Sequence, residues 1–296
     1  DMIRNVFTEH EEFTTPVTMF TNPVALMKET DFLKKLPTKP RHGNHRCDYA
    51  AGISQQAALG WSVVNARAGN QEPVDLQKYI HDYIVHVVSH EVGHTLGLRH
   101  NFKASTIHSL QQLQDEKFTL QEGLTGSAMD YTPVNLSPEG EKQGQYFQTT
   151  LGPYDYWAIE YAYSPVDPKN PGGEQAMLEK IASKASDPRL QYGTDEDTYG
   201  GIDPTSAVFD LGNDSLAFYE QRIALTKGLW NNLEKEFEKK GGQYYKLRRV
   251  FNQGVGEYFI SGMNVTRYIT GMYHRRDHMG DPQGRVPFEP VSAARK

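Results

Sequence analysis

The chain is poor in several things. A single cysteine, Cys47, among 296 residues excludes an internal disulfide. No stretch approaches the roughly 18 consecutive apolar residues that a bilayer-crossing helix needs. Lys and Arg number 31 against 37 Asp and Glu, a net charge of −6. With no basic excess there is no electrostatic reason to expect a nucleic-acid partner. Internal repeats and low-complexity tracts are missing too. What remains is 38% hydrophobic and 23% charged, a somewhat polar globular composition. The length suits one large or two ordinary domains. The first residue is Asp1 and not Met, so the chain is expected to be part of a longer precursor.

Against this background stands one dense run. Residues 90–100 read His-Glu-Val-Gly-His-Thr-Leu-Gly-Leu-Arg-His. Histidines four apart on a helix share a face, so His90 and His94 can reach one metal ion. Gly97 can adopt the positive φ that ends the helix. The chain can then turn back and bring His100 in as a third ligand. Three protein nitrogens leave one position of a tetrahedral Zn²⁺ open for water, the arrangement of a catalytic site. Glu91, beside the first ligand, is placed to act on that water as general base. Such residues at such offsets arise by chance roughly once in 10⁴ chains of this length. The context agrees. Val74, Leu76, Ile80, Ile84, Val87, Val88, Val92 and Leu96 recur at helical spacing. They predict a helix from about Pro73 to Leu96, with a buried apolar stripe beside the histidine face. Pro73 and Asp75 suit its first turn.

Further along, residues 127–131 read Ser-Ala-Met-Asp-Tyr. The elongated histidine run followed by this Met-containing turn resembles the metzincin clan of zinc metallopeptidases. The resemblance implies that Met129 forms an apolar floor beneath three zinc-bound imidazoles. It implies for Tyr131 a role as oxyanion stabiliser or extra ligand. The plainer alternative for Tyr131 is a ring packed at the cleft edge. Leu151-Gly-Pro-Tyr-Asp-Tyr-Trp-Ala-Ile-Glu-Tyr-Ala-Tyr163 is similar to the helix that closes a metzincin catalytic domain. Pro153 and Asp155 also fit ordinary helix-start chemistry. The chain as a whole resembles a group of bacterial secreted zinc-dependent metalloproteases with a helical tail. That likeness implies a protein or peptide substrate and a secreted, periplasmic or cell-surface location.

The fold expectation is α+β and predominantly helical: a metzincin-like catalytic domain over 1–164 and a mainly helical region over 165–296. A metzincin lays down several strands before its zinc helix, but only 2–8 and 16–21 read as strands here. Part of the sheet is therefore expected upstream of Asp1. A helix is expected at 24–36. Residues 47–68 read as a helix with Gly60 as a weak point, with a strand at 61–65 as the rival. Short helices are expected near 109–115 and 177–186. Long amphipathic helices are expected from Leu216 to Phe237 and from Tyr245 to Phe259. Residues 165–173, with three prolines and two glycines, read as a linker.

Some polar clusters carry weaker signals. Asp195, Glu196 and Asp197 could take Ca²⁺, but adjacent loop carboxylates are commonly just solvated and their spacing matches no calcium loop. His42, His45 and Cys47 have metal-like spacing in a basic loop without an evident fourth ligand. His86, one turn before His90, reads as a partly exposed helix histidine or a cleft residue. No pattern bears on oligomeric state. The functional expectation is a zinc endopeptidase with one catalytic ion held by His90, His94 and His100. Two other readings stand beside it, a non-proteolytic zinc amidase acting on cell-wall peptides and a binding module with a vestigial site.

Overall fold

The computed structural model describes residues 47, 49–67, 74–167, 169, 172–238, 240–282 and 284–296. The expected strands at 2–8 and 16–21, the helix at 24–36, His42, His45 and Pro73 lie outside the described residues. The described chain is mainly helical, and none of its helices is long and apolar enough to cross a membrane.

Among the described residues two compact units emerge, one of Tyr49–Arg67 with Arg222–Ser261 and one of Val74–Gln221 with Gly262–Lys296. In the first, α1 (Tyr49–Arg67) is a continuous helix, so the helical reading of this segment holds and the strand at 61–65 does not. Gly60 is buried within it and does not break it. Its buried face includes Tyr49, Ile53, Gln56, Ala57 and Val63. Around it the unit holds α9 (Leu233–Phe237), which packs on α1, and much of α8 (Ser215–Asn231) and α10 (Tyr244–Thr266). Gly254 lets α10 come close to Trp230, whose indole Nε1 would lie 2.6 Å from a Cβ added there.

This unit buries a closed polar triangle. Arg222 Nε donates to Glu257 Oε1 at 2.6 Å, Gln56 Nε2 donates to Glu257 Oε2 at 2.9 Å, and Arg222 also donates to Gln56 Oε1. All three residues are buried. A buried ion pair is a weak source of net stability, but removing one partner strands the other's charge.

The second unit begins with α2 (Leu76–Thr95). Asp75 caps it by accepting hydrogen bonds from Gln77 N and Lys78 N, at 2.8 and 3.3 Å. The helix lies where the sequence predicts it, but its buried face does not. The expected apolar stripe looks outward, with Ile84, Val88, Val92 and Leu96 exposed by 37, 52, 47 and 42%. The buried residues are Tyr79, Asp82, Tyr83, His86, His90 and Gly93. Tyr79 and Tyr83 meet the edge of Phe147, at centroid distances of 4.9 and 5.6 Å. Large aromatic rings bury more area than β-branched side chains, and here they set the rotation of the helix.

After α2 the chain forms a 3₁₀ turn (Ala104–Ile107), α3 (Leu110–Leu113) and α4 (Glu116–Glu122), the last two capped by Ser109 and Asp115. Residues 123–137 then run as irregular, fully buried backbone. α5 (Pro153–Tyr163), α6 (Gly173–Ala182) and the short α7 (Asp195–Thr198) follow. Leu113, Leu124, Leu211, Phe218 and Tyr219 form an apolar core with Leu110 and Val265 against it. β1 (Met272–His274) and β2 (Phe288–Pro290) pair antiparallel, with Tyr273 opposite Glu289, a hairpin that leaves no signal in the periodicity.

Glu257→Ala should leave the Arg222 guanidinium without its carboxylate and cost about 3–5 kcal/mol. Urea unfolding checks this, and an unchanged midpoint would show that the buried pair does not matter.

Candidate metal centre

The end of α2 builds the first part of the site by local rules. Gly97 takes φ +83°, a left-handed value that glycine adopts without a Cβ penalty. Leu98 N donates to Gly93 O and Gly97 N to His94 O, both at 3.0 Å, the pair of bonds that defines a Schellman stop. This turn presents the Leu98 carbonyl oxygen to His94 Nδ1 at 2.9 Å. The expected glycine turn is therefore present and also orients an imidazole.

The other two imidazoles are held from further away. His90 Nδ1 lies 2.8 Å from Ala128 O, and His100 Nδ1 lies 2.9 Å from Asp195 Oδ1. All three Nδ1 partners are acceptors only, two carbonyls and a carboxylate. Each Nδ1 therefore carries the proton and each Nε2 keeps its lone pair. One nitrogen of each ring falls within 4.8 Å of the others, and His94 Nε2 lies 3.1 Å from His100 Nε2. Two lone pairs at that distance repel unless a cation lies between them. The donor set, three imidazoles with acceptor-anchored Nδ1 atoms, fits Zn²⁺. Burial, with the neighbouring imidazoles adding to it, lowers the His90 pKa to about 3, which keeps the ring neutral. Burial works against the ionised form of Asp195, but the bonds and charge of His100, with its own backbone N–H and the Thr194 hydroxyl, together outweigh it and hold the carboxyl at about 2.

Met129 is fully buried beneath the helix. A Cβ added to Gly93 would lie 2.1 Å from Met129 Sδ. The glycine inside the histidine run thus makes room for the methionine, a task that its neighbours in sequence do not reveal. The turn is fastened by Asp155, the third residue of α5. Its carboxylate accepts from Ser127 Oγ, from Ala128 N at 2.8 Å and from Gly152 N at 2.9 Å. Burial raises its pKa, with the three donors acting in the opposite sense. One carboxylate therefore caps a helix and holds the N–H of Ala128, the residue whose carbonyl orients His90. Met129 O in turn accepts from Asn101 N at 3.0 Å, next to His100.

The ring of Tyr131 is buried between His90 and His100, at centroid distances of 5.6 and 4.8 Å. Phe102 and Phe209 flank it. Glu91 is exposed on the turn of α2 that joins His90 to His94. The structure therefore gathers His90, His94, His100, Met129 and Tyr131, with Glu91 beside them on the helix.

The weaker candidates have other partners. Asp195 orients His100, Glu196 pairs with Arg99 at 2.7 Å, and Asp197 pairs with Arg276 at 2.6 Å. His86 is buried and not partly exposed, with Nδ1 3.0 Å from Gln148 O, and burial lowers its pKa to about 4. Sequence reasoning singled out Asp195 only for Ca²⁺ and missed its bond to His100, as it missed the second task of Asp155. The only local sign of the former is the Thr194–Asp197 capping box, which marks a helix start and says nothing of a histidine 95 residues earlier in sequence.

Three acceptor-anchored imidazoles on a helix and the turn after it form a cluster that could hold a metal ion. A family model described as Met-zincin matches residues 72–296. The chain belongs to this family, which places it among the metzincin-clan zinc metallopeptidases. No curated protein and no solved structure is similar enough to the chain to count as a match.

Gly93→Ala should drive a Cβ into Met129, cost about 1–3 kcal/mol and lower zinc content. In a double-mutant cycle with Met129→Ala the two losses should be less than additive, because the collision is relieved. Full additivity in thermal unfolding would separate the two residues.

Proposed function

We propose that the protein is a zinc-dependent endopeptidase with Glu91 as general base. The observation that carries this reading is the convergence of three Nε2 lone pairs beside a carboxylate on the same helical turn. The bound Zn²⁺ would supply Lewis acidity, polarising the scissile carbonyl and acidifying water. His90, His94 and His100 would hold the ion, and their anchored Nδ1 atoms fix the orientation of each ring so that Nε2 is the atom offered. Glu91 accepts a proton at its carboxylate as water attacks and returns it to the leaving amine. Its exposed position on α2 leaves it open to a peptide lying along the helix. Met129 supports the imidazoles from below. Tyr131 has its ring against two of them and donates a hydrogen bond to the developing oxyanion. A substrate of peptide or protein nature follows from the family.

Glu91→Gln should keep stoichiometric zinc and lose casein cleavage by at least about 10²-fold, whereas His94→Ala should lose metal and activity together. Metal analysis paired with the cleavage assay separates the two. Wild-type turnover by Glu91→Gln would refute the general-base assignment.

Tyr131→Phe should lower kcat by about 10–10³-fold with KM little changed, as expected for a group acting only in the transition state. Unchanged kcat would leave Tyr131 as a packing residue.

A further inference from the structure

Away from the metal centre, the second unit contains a cavity of about 240 Å³ whose wall carries four cations, Lys103, Arg275, Arg285 and Arg295. Among the described residues no carboxylate lines it. The rest of the wall consists of hydroxyl and amide side chains, Thr205, Asn213 and Tyr268 among them. Each cation has a counter-charge, but it sits outside the cavity lining: Asp203 for Lys103, Glu289 for Arg275, Asp277 for Arg285 and Asp214 for Arg295. A guanidinium has five N–H donors, and one carboxylate satisfies only part of them. Arg295 makes this concrete, because Asp214 engages only its Nη2, at 2.6 Å, while the guanidinium lies over the Tyr268 ring, another residue of the cavity wall.

The ligand chemistry follows from the arrangement. Cations that come from separate stretches of the chain, Lys103, Arg275 with Arg285, and Arg295, call for acceptor oxygens in several directions. A planar carboxylate presents its oxygens in one plane, whereas a tetrahedral oxyanion presents them all round. The volume also exceeds that of a bare phosphate, and Tyr268 and Tyr273 line the remainder. We propose that this cavity is an anion site for a tetrahedral oxyanion of phosphate type, free or borne by a small molecule. It is a second ligand site on the protein, separate in its residues from the three histidines.

The test is calorimetric titration of the full chain, with zinc content measured in parallel. Inorganic phosphate and phenyl phosphate are the two probes. Saturable one-to-one binding is expected for the oxyanion, tighter for phenyl phosphate if the natural ligand carries an organic group and equal if it is phosphate itself. Arg295→Gln and Arg275→Gln should each weaken binding by at least about tenfold while zinc content stays at the wild-type level. The zinc measurement distinguishes a failure of this cavity to bind from a failure of the metal centre. Absence of saturable heat for both probes up to roughly 10 mM, or wild-type affinity in both variants, would overturn the proposal.

Discussion

The candidate centre depends on three hydrogen bonds made by the side of each imidazole that faces away from the other two rings. Leu98 O, Ala128 O and Asp195 Oδ1 each engage an Nδ1. Because all three are acceptors, the tautomer of every ring is settled and the three lone pairs point inward. An imidazole free to flip would present an N–H to the ion half the time and lose much of its value as a ligand. These anchors differ in sequence distance from their histidines. The first arrives four residues later through a helix stop. The second needs a buried turn, and the third a short acidic helix far along the chain.

That graded distance explains much of the second unit's construction. The peptide carrying Ala128 O lies in an irregular, buried stretch, where unpaired backbone groups would be costly. Asp155 meets that cost for the N–H groups of Ala128 and Gly152 and also accepts from the Ser127 hydroxyl. Gly93 lets Met129 lie directly beneath the helix, and Asn101 ties the Met129 carbonyl back to the residue beside His100. The short helix Asp195–Thr198 is itself pinned, because Asp197 caps it through Thr194 N and pairs with Arg276. Residues well beyond α5 therefore complete the centre, in keeping with a family match that runs to residue 296.

Particular residues show why some of this is legible in the sequence and some is not. The histidine spacing, the stop at Gly97 and the helix starts at Asp75 and Asp155 obey rules that act over one or two turns, so they can be read from neighbours. The rotation of α2 cannot. Its apolar residues, Ile84, Val88 and Val92, suggest one buried face, yet Tyr79, Tyr83, His86 and His90 occupy it. Hydrophobic periodicity counts apolar positions and undervalues aromatic and imidazole rings that pack by their edges. The hairpin at 272–290 is hidden for a similar reason, since its strands are three residues each and one of them is wholly exposed.

By itself the amino-acid order determined the metal-binding pattern, since ligand spacing along a helix is a matter of 3.6 residues per turn and nothing else. It also marked the starts of α2 and α5 and the stop at Gly97, because caps and glycine stops are local chemistry. Only the tertiary structure decided which groups turn each imidazole, which face of α2 is buried and why Gly93 carries no side chain. Those choices are made by atoms tens of residues apart that meet only when the chain is folded, and no pattern among neighbours records them.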